Sequence, residues 1–360
     1  MSSEFGNKLR VSVFGQSHGR AIGVLVDGLP AGEHIDTEEL YAFMSRRKPG
    51  RDKFSTARQE SDMPIFLSGL ENDKTCGAPL MAMIENKDQR SRDYEKLLDV
   101  PRPSHADLTA RIKWDGHADM RGGGHFSGRL TAPLCVAGGI AKQILARRGI
   151  FIGAHLLSVG CESEEKFPMI PDASLFEKIA AKDFPVIDDA AGERMKAVIS
   201  DAAKDMDSVG GVIECAVIGV PAGLGDPMFD GVENRIARAV FGVPAVKGLE
   251  FGSGFEGTKM RGSENNDPLM IDENGNITSE KNDAGGILGG ITSGMPIVFR
   301  TAMKPTPSIG RAQKSVSFSK MEAETLEIKG RHDPCIAHRA VPVIEAVAAI
   351  VVLDMLLEGK

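Results

Sequence analysis

Aromatic side chains are scarce in this sequence: one Trp, two Tyr and sixteen Phe among 360 residues. Few rings are therefore available to stack nucleic-acid bases, and a net charge of −7 argues against wholesale binding of polyanions. Disulfide architecture is also lacking. The five cysteines, at positions 76, 135, 161, 215 and 335, are scattered without CxxC spacing, which fits reduced thiols in a cytosolic protein. The stretch MSSEFGNKLRVSVFG has neither the basic flank nor the apolar core of a secretory leader, so a cytoplasmic protein is expected. The longest apolar run, 341–357, is short for a membrane span and carries Glu345 and Asp354. It reads as a helix buried on nearly all sides. No repeat of 20 to 50 residues and no low-complexity linker divides the chain, so a single domain over 1–360 is expected.

Glycine is what the sequence has in quantity, 41 residues, implying tight loops and close backbone approaches. KLRVSVFG and GRAIGVLVDGLPAG read as strands around a Gly-rich turn. DTEELYAFMSRRKPG reads as a helix with Asp36 and Glu39 spaced as a capping box, Pro49-Gly50 as its stop, and Arg46, Arg47 and Lys48 in its last turn. SGRLTAPLCVAGGIAKQILARRG predicts a second helix, Ser127 its cap and Gly149 its stop. Gly138-Gly139 inside it implies close packing against another backbone. Residues 161–207 lean helical, GGVIECAVIGVPAG reads as a strand, and GGILGGITSGMPIVFRTAM as a glycine-bounded strand region. Without regular βαβ alternation this order favours an α+β fold.

Five short stretches carry the chemistry. SRRKPGRDKFSTAR places Arg46, Arg47, Lys48, Arg51, Lys53 and Arg58 within thirteen residues; it is either a solvated basic loop or an anion site, since arginine forks match carboxylates and phosphates. GQSHG and PRPSHAD each hold a histidine in a Gly- or Pro-defined loop, and with His332-Asp333 they suggest a proton-transfer set. RGGGHFSGR resembles an anion cradle flanked by arginines. KPTPSI is a stiff loop with a lysine and two hydroxyls able to grip a phosphate. Two other patterns are weaker. FGSGFEG is a literal GxGxxG, but loop residues rather than a helix follow it. His332, Cys335 and His338 have ligand-like spacing for zinc without an evident fourth ligand.

Taken in order, GQSHG, RRKPG, PRPSHAD, RGGGHFSGR, AVKGLEFG, GGILGGITSG, KPTPSI and GRHDPC resemble the chorismate synthase family over nearly the whole chain. The resemblance implies the anti-1,4-elimination of phosphate from 5-enolpyruvylshikimate 3-phosphate, with reduced FMN required and no net redox change. It also implies a homotetramer whose fold sandwiches helices between two antiparallel sheets. The electrons come from NADPH or an external flavin reductase; with no reductase domain and no sound dinucleotide fingerprint, the external route is favoured.

By the same resemblance the two carboxylates and phosphate of the substrate call for Arg47 above all, with Arg46, Arg51, Arg121, Arg129 and Arg339 as further candidates. His18 is expected to protonate the leaving phosphate. His105 would protonate the reduced flavin or balance its charge, and Asp333 with Ser17 would assist removal of the C6 proton. The cofactor is expected on His125, Phe126, Ser127, Ala245, Gly289, Lys304, Pro305, Thr306, Pro307, Ser308 and Arg331. Three positions depart from the family's usual residues: Gln16 for Glu, His125-Phe126 for Arg-Ser, and Pro244 for Asn.

Overall fold

A computed structural model describes residues 3–50, 61–86, 96–328 and 333–359. Two five-stranded antiparallel sheets enclose a helical layer. The first sheet runs Glu4–Phe5, Arg10–Gly15, Ala21–Asp27, Leu80–Glu85, Ile65–Ser68 in spatial order. The second runs Val246–Phe251, Ile297–Met303, Gly211–Ile218, Phe151–Val159, Glu162–Ser163. Strand alternation sets the inward faces: Ile22, Val24 and Val26 are buried while Leu25 between them is exposed. This is the α+β sandwich expected from the sequence.

Two helices fill the middle. The central helix, Thr131–Ala146, packs on the first sheet, and the C-terminal helix, Ala337–Glu358, packs on the second and against the central helix. Glycine makes that contact possible. A Cβ on Gly138 would fall 2.3 Å from Cα of Ala346, so only a residue without one lets the backbones approach. The C-terminal helix has a mean hydropathy of 2.3, apolar and long enough to cross a membrane, but it is the buried centre of the core. Its two buried carboxylates are satisfied inside. Asp354 accepts backbone N–H groups of Asn7, Lys8 and Leu9 at 2.8–3.1 Å, stitching the N-terminal segment to the helix. Burial opposes ionisation of Glu345, yet Arg46 and Lys142 outweigh it and pull the carboxyl down to about 2.

Helix ends differ from the sequence reading in instructive ways. The first helix is Thr37–Ser45, and Asp36 caps it by accepting from Glu38 and Glu39 N–H. The capping box does not close, because Asp36 N–H goes to Oε1 of Gln143 at 2.8 Å instead. Arg46 and Arg47 follow the last turn rather than sitting in it, and both turn inward. Ser127 caps a short 3-10 turn, Gly128–Leu130, and the central α-helix begins only at Thr131. Gly149 ends it at φ +77°. The acidic stretch forms helices Ala173–Ala180 and Asp189–Lys204. Within 285–303, a tight hairpin pairs Ile287–Leu288 with Ile291–Thr292 ahead of the strand Ile297–Met303. The second half of FGSGFEG lies in a 3-10 turn, Gly254–Lys259, and no dinucleotide-type helix follows.

Candidate active site

One end of the sandwich opens into a cavity of about 1150 Å³. Its wall brings together His18, Arg47, the loop around His105, the turn after Gly122, Pro244-Ala245, Lys304 with Thr306 to Ser308, and Asp333 with Arg339. Residues more than three hundred positions apart thus share one space.

The anion-binding side is built from arginines on shared acceptors. Arg47 and Arg129 both pair with the buried carboxylate of Asp62. Burial would raise the Asp62 pKa, but the two guanidiniums outweigh it and keep the carboxyl below its ordinary value. Arg47 also reaches Oγ1 of Thr131 at 3.3 Å, and its buried Nε has no hydrogen-bond partner among the described residues. Arg339 donates to the Arg47 carbonyl at 3.1 Å and to Asp333 at 2.8 Å. Arg129 Nε bonds Asn86 at 3.1 Å, and Asn86 in turn holds the carbonyls of Gln16 and Gly19. The GQSHG turn and the arginine cluster are thereby one structure. Gln16, the first departure, takes part in these bonds through its backbone carbonyl.

Both histidines rest on the glycine turn. Gly122 and Gly123 have φ of +61° and +89°. A Cβ on Gly122 would fall 2.1 Å from Nδ1 of His18 and 2.8 Å from Oγ of Ser17; one on Gly123 would lie 3.3 Å from Nε2 of His105. Glycine is required by both conformation and space. Ser17 is fully buried, its hydroxyl without a hydrogen-bond partner, and His18 is 5% exposed. His105 Nδ1 lies 2.6 Å from Asp107, and Asp107 is forked by Arg102 at 2.8 Å through both Nε and Nη2. Burial opposes the Asp107 charge, but the hydrogen bonds from Arg102 and His105 prevail and hold it well below the usual carboxylate range. Arg102 and Asp107 are site residues the sequence reading did not single out, although both stand inside the quoted PRPSHAD.

A polar strip lines the opposite wall. Lys304 binds the Ser104 carbonyl, and Arg102 Nη1 reaches Ser308 at 3.3 Å. Burial, with Lys247 nearby, lowers the Lys304 pKa. Oγ1 of Thr306 is buried with no partner among the described residues, an orphaned donor that a phosphate oxygen would satisfy. Ala245 adopts φ +74° and accepts the Lys304 N–H at 2.9 Å. His125 bridges the Gly15 carbonyl at 2.8 Å and Ser3 at 2.7 Å, and Phe126 packs on Trp114 with ring centroids 5.4 Å apart. At this second departure His125 ties the loop to the first sheet, while Phe126 and Ser127 line the cavity.

Other expected residues lie elsewhere. Arg46 is forked onto Glu345 at 2.6 and 2.9 Å, buried between helices and off the cavity wall. Arg121 is half-exposed and bound to Asp119 of its own loop at 2.8 Å. Neither it nor Pro305 and Gly289 lines the cavity. Arg51 and Arg331, with the basic residues 53 and 58, lie outside the described residues. So does His332 of the zinc-like spacing. Cys335 is fully buried, and burial pushes its thiol up to about 11 although the Ala337 and His338 N–H groups oppose this. The His338 ring stacks on Phe184 at 5.7 Å. Among the described residues no three His, Cys, Asp or Glu side chains cluster in a way that could hold a metal.

The family model for chorismate synthase matches residues 9–357 of the chain. A chorismate synthase of Lancefieldella parvula is 45% identical over 368 residues, covering 99% of this chain and 96% of that protein. One from Thermococcus gammatolerans is 45% identical over 355 residues, covering 99% and 98%. A crystal structure of a chorismate synthase superposes with a TM-score of 0.78 at 29% identity, covering 98% of this chain and 93% of that one.

Proposed function

The chain belongs to the chorismate synthase family, and from that premise we propose how its cavity performs the family's elimination. The reaction is that of a carbon–oxygen lyase acting on a small-molecule phosphate. 5-Enolpyruvylshikimate 3-phosphate loses phosphate and a C6 proton to give chorismate, on the way to the aromatic amino acids. The observation that carries the reading is the convergence of Arg47, Arg129 and Arg339 with His18, His105 and Asp333 in one cavity beside the Lys304–Ser308 strip.

The arginines bind the substrate's anions. Arg47 and Arg129 are preorganised by Asp62, and the unpartnered Nε of Arg47 offers a donor in a place water would otherwise have to fill. His18, seated against Gly122, donates its proton to the departing phosphate, so that the C–O electrons leave on a less charged group. Asp333, held by Arg339, takes up the proton lost from C6, with Ser17 beside His18 as a relay. The fit of a flavin rests on the chain's own atoms. The orphaned Thr306 hydroxyl, Lys304, Ser308 and the backbone at Ala245 would hold its phosphate end, and His125, Phe126 and Ser127 its far side. Reduced FMN, when bound, supplies electron density to the ring as the C–O bond breaks. His105 then offsets the negative charge beside it.

The same proposal includes a cytoplasmic homotetramer reduced through an external flavin reductase or by NADPH. Apolar side chains on the hairpin of Leu269–Ile271 with Ile277–Ser279 support self-association: Leu269, Ile271 and Ile277 are each more than 70% exposed. The deciding experiment is an anaerobic assay for chorismate from the enolpyruvyl substrate with and without reduced FMN. Formation only with the reduced flavin supports the proposal; equal formation in oxidised, flavin-free buffer refutes it.

A further inference from the structure

Asp107, the first residue of the helix Asp107–Lys113, spends its carboxylate on groups ahead of the helix, and their arrangement constrains His105. Oδ2 takes the backbone N–H and the Nε–H of Arg102, at 2.9 and 2.8 Å. Oδ1 takes Arg102 Nη2 at 2.8 Å and faces His105 Nδ1 at 2.6 Å. The ionised Asp107 carboxylate cannot donate, so the 2.6 Å contact requires the proton on His105 Nδ1, and Arg102 cannot accept it. The 3.1 Å between its Nη2 and His105 Nδ1 is therefore the third side of a triangle in which two donors share Oδ1. Arg102 itself is buried and braced on Ser308 of the KPTPSI loop, so the clamp also ties the histidine to the adjoining polar strip.

We infer that Asp107, locked by Arg102, is a positioning residue that keeps the His105 proton on Nδ1 and presents Nε2 toward the glycine turn and the cavity. The inference rests on the proposed role of His105 and adds the device that sets its tautomer. A ring free to exchange tautomers would offer a donor and an acceptor in turn at Nε2; the clamp leaves one neutral form, whose Nε2 can accept a proton and then hold it as imidazolium beside a carboxylate.

Asp107→Asn is the test because an amide cannot satisfy this donor set. Its single oxygen is drawn to the two Arg102 donors at the Oδ2 position, which turns the NH₂ toward His105 and makes Nδ1 the acceptor. Neutron diffraction from deuterated crystals of the full-length protein with FMN bound should show deuterium on Nδ1 in the wild type and on Nε2 alone in Asp107→Asn. Turnover should fall about 10²-fold with KM for the substrate within about twofold. A wild-type Nδ1 without deuterium, measurable even if the variant fails to fold, overturns the inference, as does an Asn variant with the wild-type tautomer. A His105→Ala variant of normal turnover would instead remove the role assigned to His105, whatever the tautomer experiment shows.

Discussion

Two buried charge clusters in this protein look alike in composition and differ in what they leave over. One lies across the second sheet. Glu250, Arg300, Glu214 and His155 sit directly opposite one another on four adjacent strands, an alternating row in which each group bonds its neighbours. Glu164 closes the end on His155, and Phe167 N–H supplies a further donor to Glu214 at 2.6 Å. No member borders the cavity. The other cluster, Arg47, Asp62, Arg129, Arg339 and Asp333, has an excess of cationic donors and opens onto the cavity. A buried charge is thus not in itself the mark of a site. Hydrogen-bonding capacity left unspent at a cavity wall is.

The largest effect expected from the open region is on the leaving group. His18→Ala should retain FMN binding and lose about 10²–10⁴ in turnover; a variant with normal turnover would move His18 into the class of buried, inert groups. The closed row should respond in the opposite currency. Glu214→Ala strips His155 and Arg300 of a shared carboxylate and should destabilise the fold by about 3–5 kcal/mol, seen as a lower unfolding midpoint, while KM and turnover at low temperature stay normal. Loss of activity in the folded Ala variant would break the distinction between the two regions.

Smaller effects sharpen the contrast. Asp333 lies outside the C-terminal helix, whose N-cap is Ile336. Asp333→Asn should therefore fold, bind FMN and substrate, and slow single-turnover decay of the reduced-flavin–substrate complex by at least about 10²-fold. Arg47→Ala should weaken substrate binding by about 1.5–3 kcal/mol, read as a raised KM; unchanged kinetics would place Arg47 among the closed pairs despite its free Nε.

The least effect is a slope with pH. Burial disfavours the His155 imidazolium, but Glu164 and Glu214 outweigh it and raise the pKa above 6.5. Its contribution to stability is complete below 6.5 and is lost as pH rises through the raised folded value. Glu345, lowered from 4.5 to about 2, contributes fully above 4.5 and loses this as pH falls toward 2. Thermal midpoints should fall more steeply on the alkaline side in the wild type than in His155→Gln; parallel curves would mean that the row holds a neutral histidine.

Residue type and local spacing were enough to read several features of this protein. The Gly-bounded run in GRAIGVLVDGLPAG placed a strand, the apolar run at the end placed a buried helix, and Gly138 announced the backbone contact it makes with Ala346. The motif order carried the family. These are legible because pattern and conformation are set within a few residues. What the sequence could not decide was which of its charges are spent on one another. Arg46 and Arg47 are neighbours in one basic run, yet one is consumed by Glu345, 299 positions away, and the other stands at the cavity with a donor in hand. Asp107 and Arg102 became a clamp, and Glu214 a closed row, only when strand register and loop packing brought their partners within hydrogen-bond reach. Coulombic and hydrogen-bond pairing falls off over a few ångströms in space and takes no account of distance along the chain; that is why the tertiary structure, and not the sequence, separates the charges that hold the fold from those free to bind a substrate.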